Sequence, residues 1–186
     1  MVTHKRKWPN TLASGVCSGL GVAPSKIGKV YGIVKAYCTR VGSGPFPTEL
    51  FDETGETLRR IGNEFGATTG RARRCGWLDL PALKYAVMLS GVTELMMMKS
   101  DVMDDFATVK VATAYRYNNQ ETKHLPFSAC TATMEPVYTE MEGWQQKIED
   151  KIPQKLEDYI RFIEDYVGVP VKFVSYGPDR TQNVWR

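Results

Sequence analysis

The sequence has few of the residues that build metal centres, and it has no long apolar run. Its only histidines are His4 and His124, and its four cysteines form no Cys-x-x-Cys pair. An obvious zinc site is therefore excluded. No stretch approaches the ~18 apolar residues of a membrane-spanning helix, and the charged N-terminus is not followed by the apolar segment of a signal peptide. We expect a soluble, cytoplasmic protein.

The charge balance is too even to indicate a polyanionic partner. The 24 basic and 21 acidic residues leave a net charge of +3, so neither a nucleic acid nor a membrane is expected as a partner. With 42% hydrophobic and 24% charged residues, a disordered or fibrous chain is excluded, and 186 residues suffice for one domain. The cysteines are expected to be buried thiols without a chemical role, although a nucleophilic thiol with a remote histidine is the alternative. They are Cys17, Cys38, Cys75 and Cys130.

Strand and helix patterns alternate along the chain. β-branched, aromatic and apolar runs predict strands, although a helix at the start of the first run remains open. The strands are expected at 29–39, 93–98, 109–117 and 170–175. Helical spacing, capping residues and terminal glycines predict the helices. These are expected at 53–65 (ended by Gly66), at 80–89 behind Asp79, and from Pro153 to Val167. The pattern indicates the α/β class, with helices lying on the sheet.

The segment 66–74 is the most informative stretch of the sequence. It combines two glycines, two threonines and three arginines within nine residues. Guanidinium groups match carboxylate and phosphate oxygens, hydroxyls add donors, and glycine lets the backbone approach a ligand closely. A solvated basic loop is the commoner outcome for such a run, but the paired threonines favour an anion-binding loop.

Two polar turns follow predicted strands. Lys99-Ser100-Asp101 comes after the third methionine of an apolar run, where a strand of an open α/β sheet delivers ligand-facing residues. A carboxylate there can accept two N–H donors from a guanine edge, and the lysine stem can cover the ring. The segment 175–180 ends the last predicted strand. Taken alone, each turn is more typical of a solvated cap.

Three other features receive no functional role. The glycines at 15–21 are not followed by Lys-Ser/Thr, so a nucleoside triphosphate loop is rejected. The methionine run 96–98 is expected to fill the core. The acidic residues between Glu140 and Asp165 are expected to form the solvated face of helices.

Several long motifs in one order resemble the adenylosuccinate synthetase family. They are KAYCTRVGSGPFPTEL at 35–50, GNEFGATTGR at 62–71, CGWLD at 75–79 and GPDR at 177–180. The resemblance runs from about Asn10 to the end and implies a mostly parallel central sheet with flanking helices, related to the P-loop NTPases. It also implies a cytoplasmic homodimeric ligase that joins IMP to L-aspartate in AMP biosynthesis, using GTP and Mg²⁺.

The resemblance also implies roles for individual residues. The family's aspartate-binding loop corresponds here to Ala67, Thr68, Thr69, Gly70, Arg71, Ala72 and Arg73. Within it, Arg71 would bridge aspartate and IMP, and Arg73 would also approach GTP. The segments that bind guanine correspond to Lys99, Ser100 and Asp101 and to Ser175, Tyr176 and Gly177.

The departures from the family pattern indicate a carboxy-terminal fragment. The sequence has no Gly-Asp-Glu-Gly-Lys-Gly-Lys loop, which holds the GTP phosphates and Mg²⁺ in the family, and it lacks the family's catalytic aspartate and histidine. Residues 1–9 form a divergent tail, with Lys7 where the family has an IMP-contacting threonine, and 10–186 match the family's C-terminal part. We therefore expect no catalytic residue, no metal ligand and no ligase activity in the isolated chain. A non-catalytic module that binds a nucleotide or a subunit, and a fragment without independent function, are the alternatives.

Overall fold

A computed structural model describes residues 12–126, 134–149 and 151–186. The expected tail at 1–9, with His4, and Cys130 lie outside these residues. The helices are α1 (Ser14–Leu20), α2 (Glu53–Ile61), α3 (Leu80–Ser90) and α4 (Gln154–Val167). The strands are β1 (Tyr31–Lys35), β2 (Cys38–Arg40), β3 (Arg74–Gly76), β4 (Leu78–Asp79), β5 (Glu94–Met98), β6 (Thr108–Tyr117), β7 (Gln120–Thr122), β8 (Glu135–Glu142), β9 (Val171–Ser175) and β10 (Asn183–Trp185).

The main sheet is mostly parallel and has the order β1-β5-β9-β10. The first three strands run parallel, with Tyr31 opposite Glu94 and Lys35 opposite Met98, and β10 returns antiparallel to β9. Parallel neighbours need crossover connections, which here contain α3 before β5 and α4 before β9. The predicted α/β class is confirmed. The carboxyl ends of β1, β5 and β9 lie at the same end of the sheet.

A second sheet and a short ribbon flank the main sheet. β6 pairs in parallel with β4 and antiparallel with β7 and β8, while β2 and β3 form the ribbon. The core lies between the two sheets, where α4 buries one apolar stripe. Tyr159 of this helix donates to the Ala36 carbonyl oxygen (2.6 Å), and Tyr166 donates to that of Thr113 (2.7 Å), so α4 connects both sheets.

The capping signals of α3 are confirmed in atomic detail. The Asp79 carboxylate accepts a hydrogen bond from the Ala82 amide (3.1 Å), Pro81 occupies the first turn, and Gly91 ends the helix with φ +61°. Asp79 is buried, and its Oδ1 accepts a second hydrogen bond from the Tyr115 hydroxyl on β6 (2.6 Å). One side chain therefore caps the helix and attaches it to the second sheet.

Several element boundaries differ from the sequence predictions. The run 29–39 contains two strands rather than one, because Ala36 and Tyr37 turn into the core. The helix predicted to extend to Phe65 ends at Ile61, since Asn63 adopts a left-handed backbone with φ +47°. A helix that was not predicted forms at Ser14–Leu20, and it buries no residue.

The acidic residues between Glu140 and Asp165 lie on a strand as well as on a helix. Placing all acidic residues from Glu140 onward on helices was wrong, because Glu140 and Glu142 lie on β8 and pair across to Lys110 and Thr108 of β6.

The described cysteines differ in how far they are buried. Cys75 is buried as expected, whereas Cys38 and Cys17 are half-buried. Burial raises the pKa of Cys38 to about 12, so its thiolate is scarcely populated near neutral pH.

The outer edge of β1 is open. Within the described ranges, no strand pairs with that edge, and Tyr31 and Ile33 are 48% and 68% exposed. A cavity of about 930 Å³ adjoins it, lined largely by apolar side chains that include Leu12, Val16 and Val92. An open apolar edge is a surface on which another strand can pair. The same described ranges contain no helix that is both long and apolar enough to cross a bilayer.

We predict that Tyr115→Phe lowers the free energy of unfolding by about 1–3 kcal/mol, because it leaves the buried Asp79 carboxylate with one hydrogen bond fewer. Urea unfolding measures the effect. The matched control is Tyr31→Phe at the exposed end of β1, which should change the free energy by less than about 0.5 kcal/mol. Equal losses in the two variants would contradict the role of the Tyr115–Asp79 hydrogen bond.

Candidate functional site

The segment 64–73 folds as a tight hairpin that presents its central residues to solvent. The Arg73 amide donates to the Glu64 carbonyl oxygen (2.9 Å), and the Gly66 amide donates to that of Arg71 (2.9 Å). At the tip, Gly70 has φ +63°, a backbone conformation that favours glycine, and its amide donates to the Gly66 carbonyl oxygen (2.8 Å). The backbone of the proposed aspartate-binding loop is therefore fixed at its base while residues 67–72 stay exposed.

The side chains of this hairpin are available to an anion. Thr68, Thr69 and Arg71 are all exposed, and the Arg71 amide donates to the Thr69 hydroxyl (3.4 Å). In the part of the chain that the structure describes, no side chain pairs with the Arg71 guanidinium. Arg73 differs, because its guanidinium turns inward and binds Glu64. The sequence-predicted loop thus divides into exposed groups at the tip and one anchored arginine at the base.

Glu64 is the centre of a buried charge cluster that joins this hairpin to the main sheet. Its side chain is fully buried, and its two oxygens receive four side-chain donors. Oε2 accepts from Arg73 Nη1 (2.7 Å), and Oε1 accepts from Lys35 Nζ (2.8 Å), the Tyr37 hydroxyl (2.6 Å) and Lys99 Nζ (2.9 Å). Three cations and one hydroxyl therefore share a single carboxylate.

The electrostatics of the cluster follow from these contacts. Burial by itself raises the pKa of Glu64, but the hydrogen bonds from Lys35, Tyr37, Lys99 and Arg73 outweigh it and lower the pKa to about 2. For Tyr37, burial and the hydrogen bond to the carboxylate both raise the pKa, so the phenol stays protonated and donates. The Lys99 ammonium also donates to the Gly62 carbonyl oxygen (2.5 Å). Glu64 is consequently ionised throughout the physiological range.

A cleft of about 370 Å³ lies beside the cluster, at the carboxyl ends of β5 and β9. It is lined by Ile61, Gly62, Asn63, Lys99, Asp101, Val102, Gly177 and Pro178. Two of these residues, Asn63 (φ +47°) and Lys99 (φ +60°), have left-handed backbones without being glycine. Such conformations persist only where the surroundings fix them, and they are enriched at functional sites.

Asp101 carries an unsatisfied acceptor at this cleft. Its Oδ1 is buried and has no hydrogen-bond partner among the described residues. Burial raises the pKa of Asp101, while the hydrogen bond to its own backbone and the charge of Lys99 lower it in part. Buried polar atoms nearly always have a partner, so an unpaired oxygen on a residue that lines the cleft is suited to a ligand that brings N–H donors.

The two segments that were expected to bind one base are adjacent. The Ser100 hydroxyl donates to the Ser175 carbonyl oxygen (3.0 Å), and the Ser175 hydroxyl donates to that of Gly177 (3.2 Å). The Tyr176 amide donates to the Gln182 carbonyl oxygen (3.0 Å), which fixes the turn between β9 and β10. Lys99, Asp101 and Gly177 line the cleft, whereas Ser100 and Ser175 are buried behind it and Tyr176 packs against the core.

The residues that organise the site were not predicted from the sequence. They lie within the motifs at 35–50 and 62–71, and only the structure brings Glu64, Asn63, Lys35 and Tyr37 together. One signal was present in the sequence, because the acidic Glu64 lies two residues before a glycine- and arginine-rich loop. The partners Lys35 and Lys99 are 29 and 35 residues away from it, so no local pattern reveals them.

The described residues do not fit a magnesium site. Among them, no group of three His, Cys, Asp or Glu side chains could hold a metal ion. The Mg²⁺ that the family resemblance implies would therefore need ligands from elsewhere, and no step derived below passes through it.

The fold and the site together define the class of protein. Charged loops gathered beyond the carboxyl ends of parallel strands are typical of α/β proteins that bind ligands at that edge. A family model described as adenylosuccinate synthetase matches residues 7–184, and the chain belongs to that family. The family resemblance predicted from the motifs is confirmed.

Individual relatives agree with this assignment. The adenylosuccinate synthetase of Flavobacterium psychrophilum is 58% identical over 180 residues, which cover 94% of this chain and 43% of the relative. That of Bacteroides fragilis is 55% identical over 182 residues, with 95% and 43% covered. The chain therefore spans less than half the length of these curated relatives.

Solved structures give the same result. The fully ligated adenylosuccinate synthetase of Plasmodium falciparum superimposes with a TM-score of 0.88 at 34% identity, covering 95% of this chain and 44% of that one. A succinoaminodeoxyadenylate synthetase of cyanophage S-2L, at 16% identity and a TM-score of 0.53, shares the fold alone.

We predict that the Glu64 cluster makes stability depend on acid. A carboxylate whose pKa falls from 4.5 in the unfolded chain to about 2 in the folded chain stabilises the fold above pH 4.5, and this stabilisation is lost as the pH falls to 2. Glu64→Gln should therefore reduce the slope of unfolding free energy against pH in this window. Urea unfolding at half-unit pH steps measures it, and unchanged slopes would contradict the cluster.

Proposed function

We propose that this chain supplies the aspartate-binding loop and the guanine-binding segments of a GTP-dependent ligase that joins IMP and L-aspartate to form adenylosuccinate, releasing GDP and phosphate. The observation that carries the proposal is the unpaired Oδ1 atom of Asp101, which lines a cleft together with Lys99. The chain that contains this cleft belongs to the adenylosuccinate synthetase family. The full-length protein would act as a cytoplasmic homodimer in AMP biosynthesis.

The cleft has the chemistry that guanine requires. The N1–H and exocyclic amino group of guanine are two donors on one edge, and a carboxylate can accept both. The Asp101 Oδ1 atom lacks a partner, so it can accept without giving up an existing bond. Adenine presents no N–H at its position 1, and a site built around an acceptor rejects a base that lacks the donor. The aliphatic stem of Lys99 would cover the face of the guanine ring. Its ammonium would keep its hydrogen bonds to the Glu64 carboxylate and the Gly62 carbonyl oxygen.

The exposed hairpin has the chemistry that L-aspartate requires. The free Arg71 guanidinium can bind a carboxylate with two parallel hydrogen bonds, and the hydroxyls of Thr68 and Thr69 add donors. In the family reaction, the 6-oxygen of IMP is first phosphorylated by GTP, and the amine of aspartate then displaces phosphate. Arg71 and the threonines would hold that amine in an attack geometry, which is a positioning contribution to the rate. Mg²⁺ and the phosphate-binding loop would come from the remainder of a full-length protein.

A second function is favoured by the open edge of β1. The chain contains no phosphate-binding loop motif, and an apolar surface adjoins that edge. As it stands, the chain could therefore serve as a non-catalytic module that binds a purine nucleotide or a second subunit. Ligase activity separates the two proposals, because the module would not restore it.

We predict that the chain acts as a ligase only when the rest of the family fold is present. The test replaces the matching C-terminal part of the Flavobacterium psychrophilum enzyme with this chain. The hybrid should form adenylosuccinate from IMP, L-aspartate and GTP, whereas the chain alone should form none. A folded but inactive hybrid would contradict the ligase proposal and favour the non-catalytic binding module.

Two substitutions in the hybrid should separate the two ligands. Asp101→Asn replaces an acceptor oxygen with a donor, so KM for GTP should rise roughly 5- to 150-fold, or about 1–3 kcal/mol, with KM for aspartate little changed. Arg71→Leu removes a carboxylate partner and should raise KM for aspartate sharply with a smaller effect on GTP. Steady-state kinetics for both substrates decide the matter. Equal effects of each variant on both substrates would mean that the residues act through folding.

A further inference from the structure

We propose that Glu64 is a positioning residue that couples the aspartate-binding hairpin to the guanine cleft, by holding Arg73 of the one and Lys99 of the other on opposite oxygens of a single buried carboxylate. The proposal rests on the function proposed above for the two segments. The coupling itself is a property of this chain and can be measured without any ligand.

The geometry leaves little freedom for independent movement. Arg73 donates to Oε2 of Glu64 (2.7 Å), while Lys99 donates to Oε1 (2.9 Å). Lys35 and Tyr37 also donate to Oε1. Both oxygens are buried, so water cannot easily replace a departing cation, and a buried carboxylate that loses a partner is costly. Because Arg73 and Lys99 are like charges on one carboxylate, movement of Arg73 away from the cluster strengthens the attraction of Glu64 for Lys99, and the reverse holds equally.

Each cation also fixes a piece of ligand-binding backbone. Arg73 closes the base of the hairpin, where its amide donates to the Glu64 carbonyl oxygen (2.9 Å). Lys99 adopts a left-handed backbone with φ +60° two residues before Asp101, and its ammonium also donates to the Gly62 carbonyl oxygen (2.5 Å) in the wall of the cleft. Glu64 thus sets the base of the hairpin and two walls of the cleft at once.

Removing the charge of Glu64 should release both segments together. A glutamine in its place leaves Lys35, Arg73 and Lys99 close to one another without a counter-charge, so the three cations would repel and separate. The expected consequence is local opening of the hairpin and of the segment 98–104. Among the described residues, the helix α4 supplies none of the side chains that bind Glu64, so it should open only as much as global stability falls.

The decisive experiment is hydrogen exchange on the 186-residue chain and its Glu64→Gln variant. We expect exchange to become at least about 10-fold faster in peptides covering both 62–76 and 98–106, with α4 less affected. The matched control is Glu157→Gln, which removes another carboxylate with two arginine partners, Arg161 and Arg186. It should accelerate exchange near α4 and the C-terminus and leave both site segments unchanged. Faster exchange in only one site segment, or an equal increase throughout the chain, would overturn the coupling.

Two milder variants keep the test valid if Glu64→Gln does not fold. Lys99→Met leaves Glu64 with one cation fewer, so Arg73 should be bound more tightly, and exchange in the hairpin at 66–73 should slow relative to α4. Arg73→Met should likewise slow exchange at 98–104 relative to α4. Coupling through the shared carboxylate requires both effects, so unchanged relative exchange in the unmutated segment of either variant would overturn it.

Kinetics of the hybrid enzyme provide a readout that loss of stability alone would not give. Glu64→Gln should raise KM for L-aspartate and KM for GTP together, by more than about 5-fold each, with a smaller change in kcat. Loss of folded enzyme alone would lower apparent kcat and leave both KM values unchanged. An inactive wild-type hybrid would contradict the proposed function, whereas the exchange experiment would still decide whether Glu64 couples the two segments.

Discussion

One buried carboxylate organises the part of this molecule that we propose binds ligands. Glu64 is fully buried, and it is stable as an anion only because three cations and a phenol donate to it. Its partners come from β1, from the turn after β1, from the hairpin at 64–73 and from the residue after β5. Apart from β1 and the turn that follows it, these segments are far apart in sequence. The cluster is therefore the point where the separate segments become a single site.

The fold explains why those segments meet. Parallel strands β1, β5 and β9 end at the same edge of the sheet, which places Lys35, Lys99 and Ser175 side by side. The crossover helix α4 supports this edge from within the core, since Tyr159 binds the carbonyl of Ala36, directly after β1. The conformations required at the cleft are unusual, as the left-handed backbones of Asn63 and Lys99 demonstrate. The family's ligand-binding motifs are thus placed by topology and fixed by one charge cluster.

The sequence was informative where signals are local. The Asp79 cap, Pro81 and Gly91 defined α3 almost to the residue, and the apolar stripe of α4 was evident from its spacing. The short strands β3, β4, β7 and β10 and the long strand β8 were not predicted, because their pairing partners decide them. The segments expected to bind ligands were found through motifs, and the structure brings Lys99, Asp101 and Gly177 to one cleft. The role of Glu64 was missed, because its lysine partners and Tyr37 are distant in sequence and a single glutamate has no pattern of its own.

A guanine-binding cleft formed by Asp101 and the Glu64 cluster should respond to a guanine nucleotide in the 186-residue chain itself. A two-dimensional amide NMR titration with GMP and, separately, with AMP measures this response. GMP should shift the resonances of Asn63, Lys99–Val102 and Gly177, AMP should shift them far less, and Asp101→Asn should remove the difference. Equal shifts with both nucleotides, or shifts confined to residues remote from the cleft, would show that the cleft does not bind guanine.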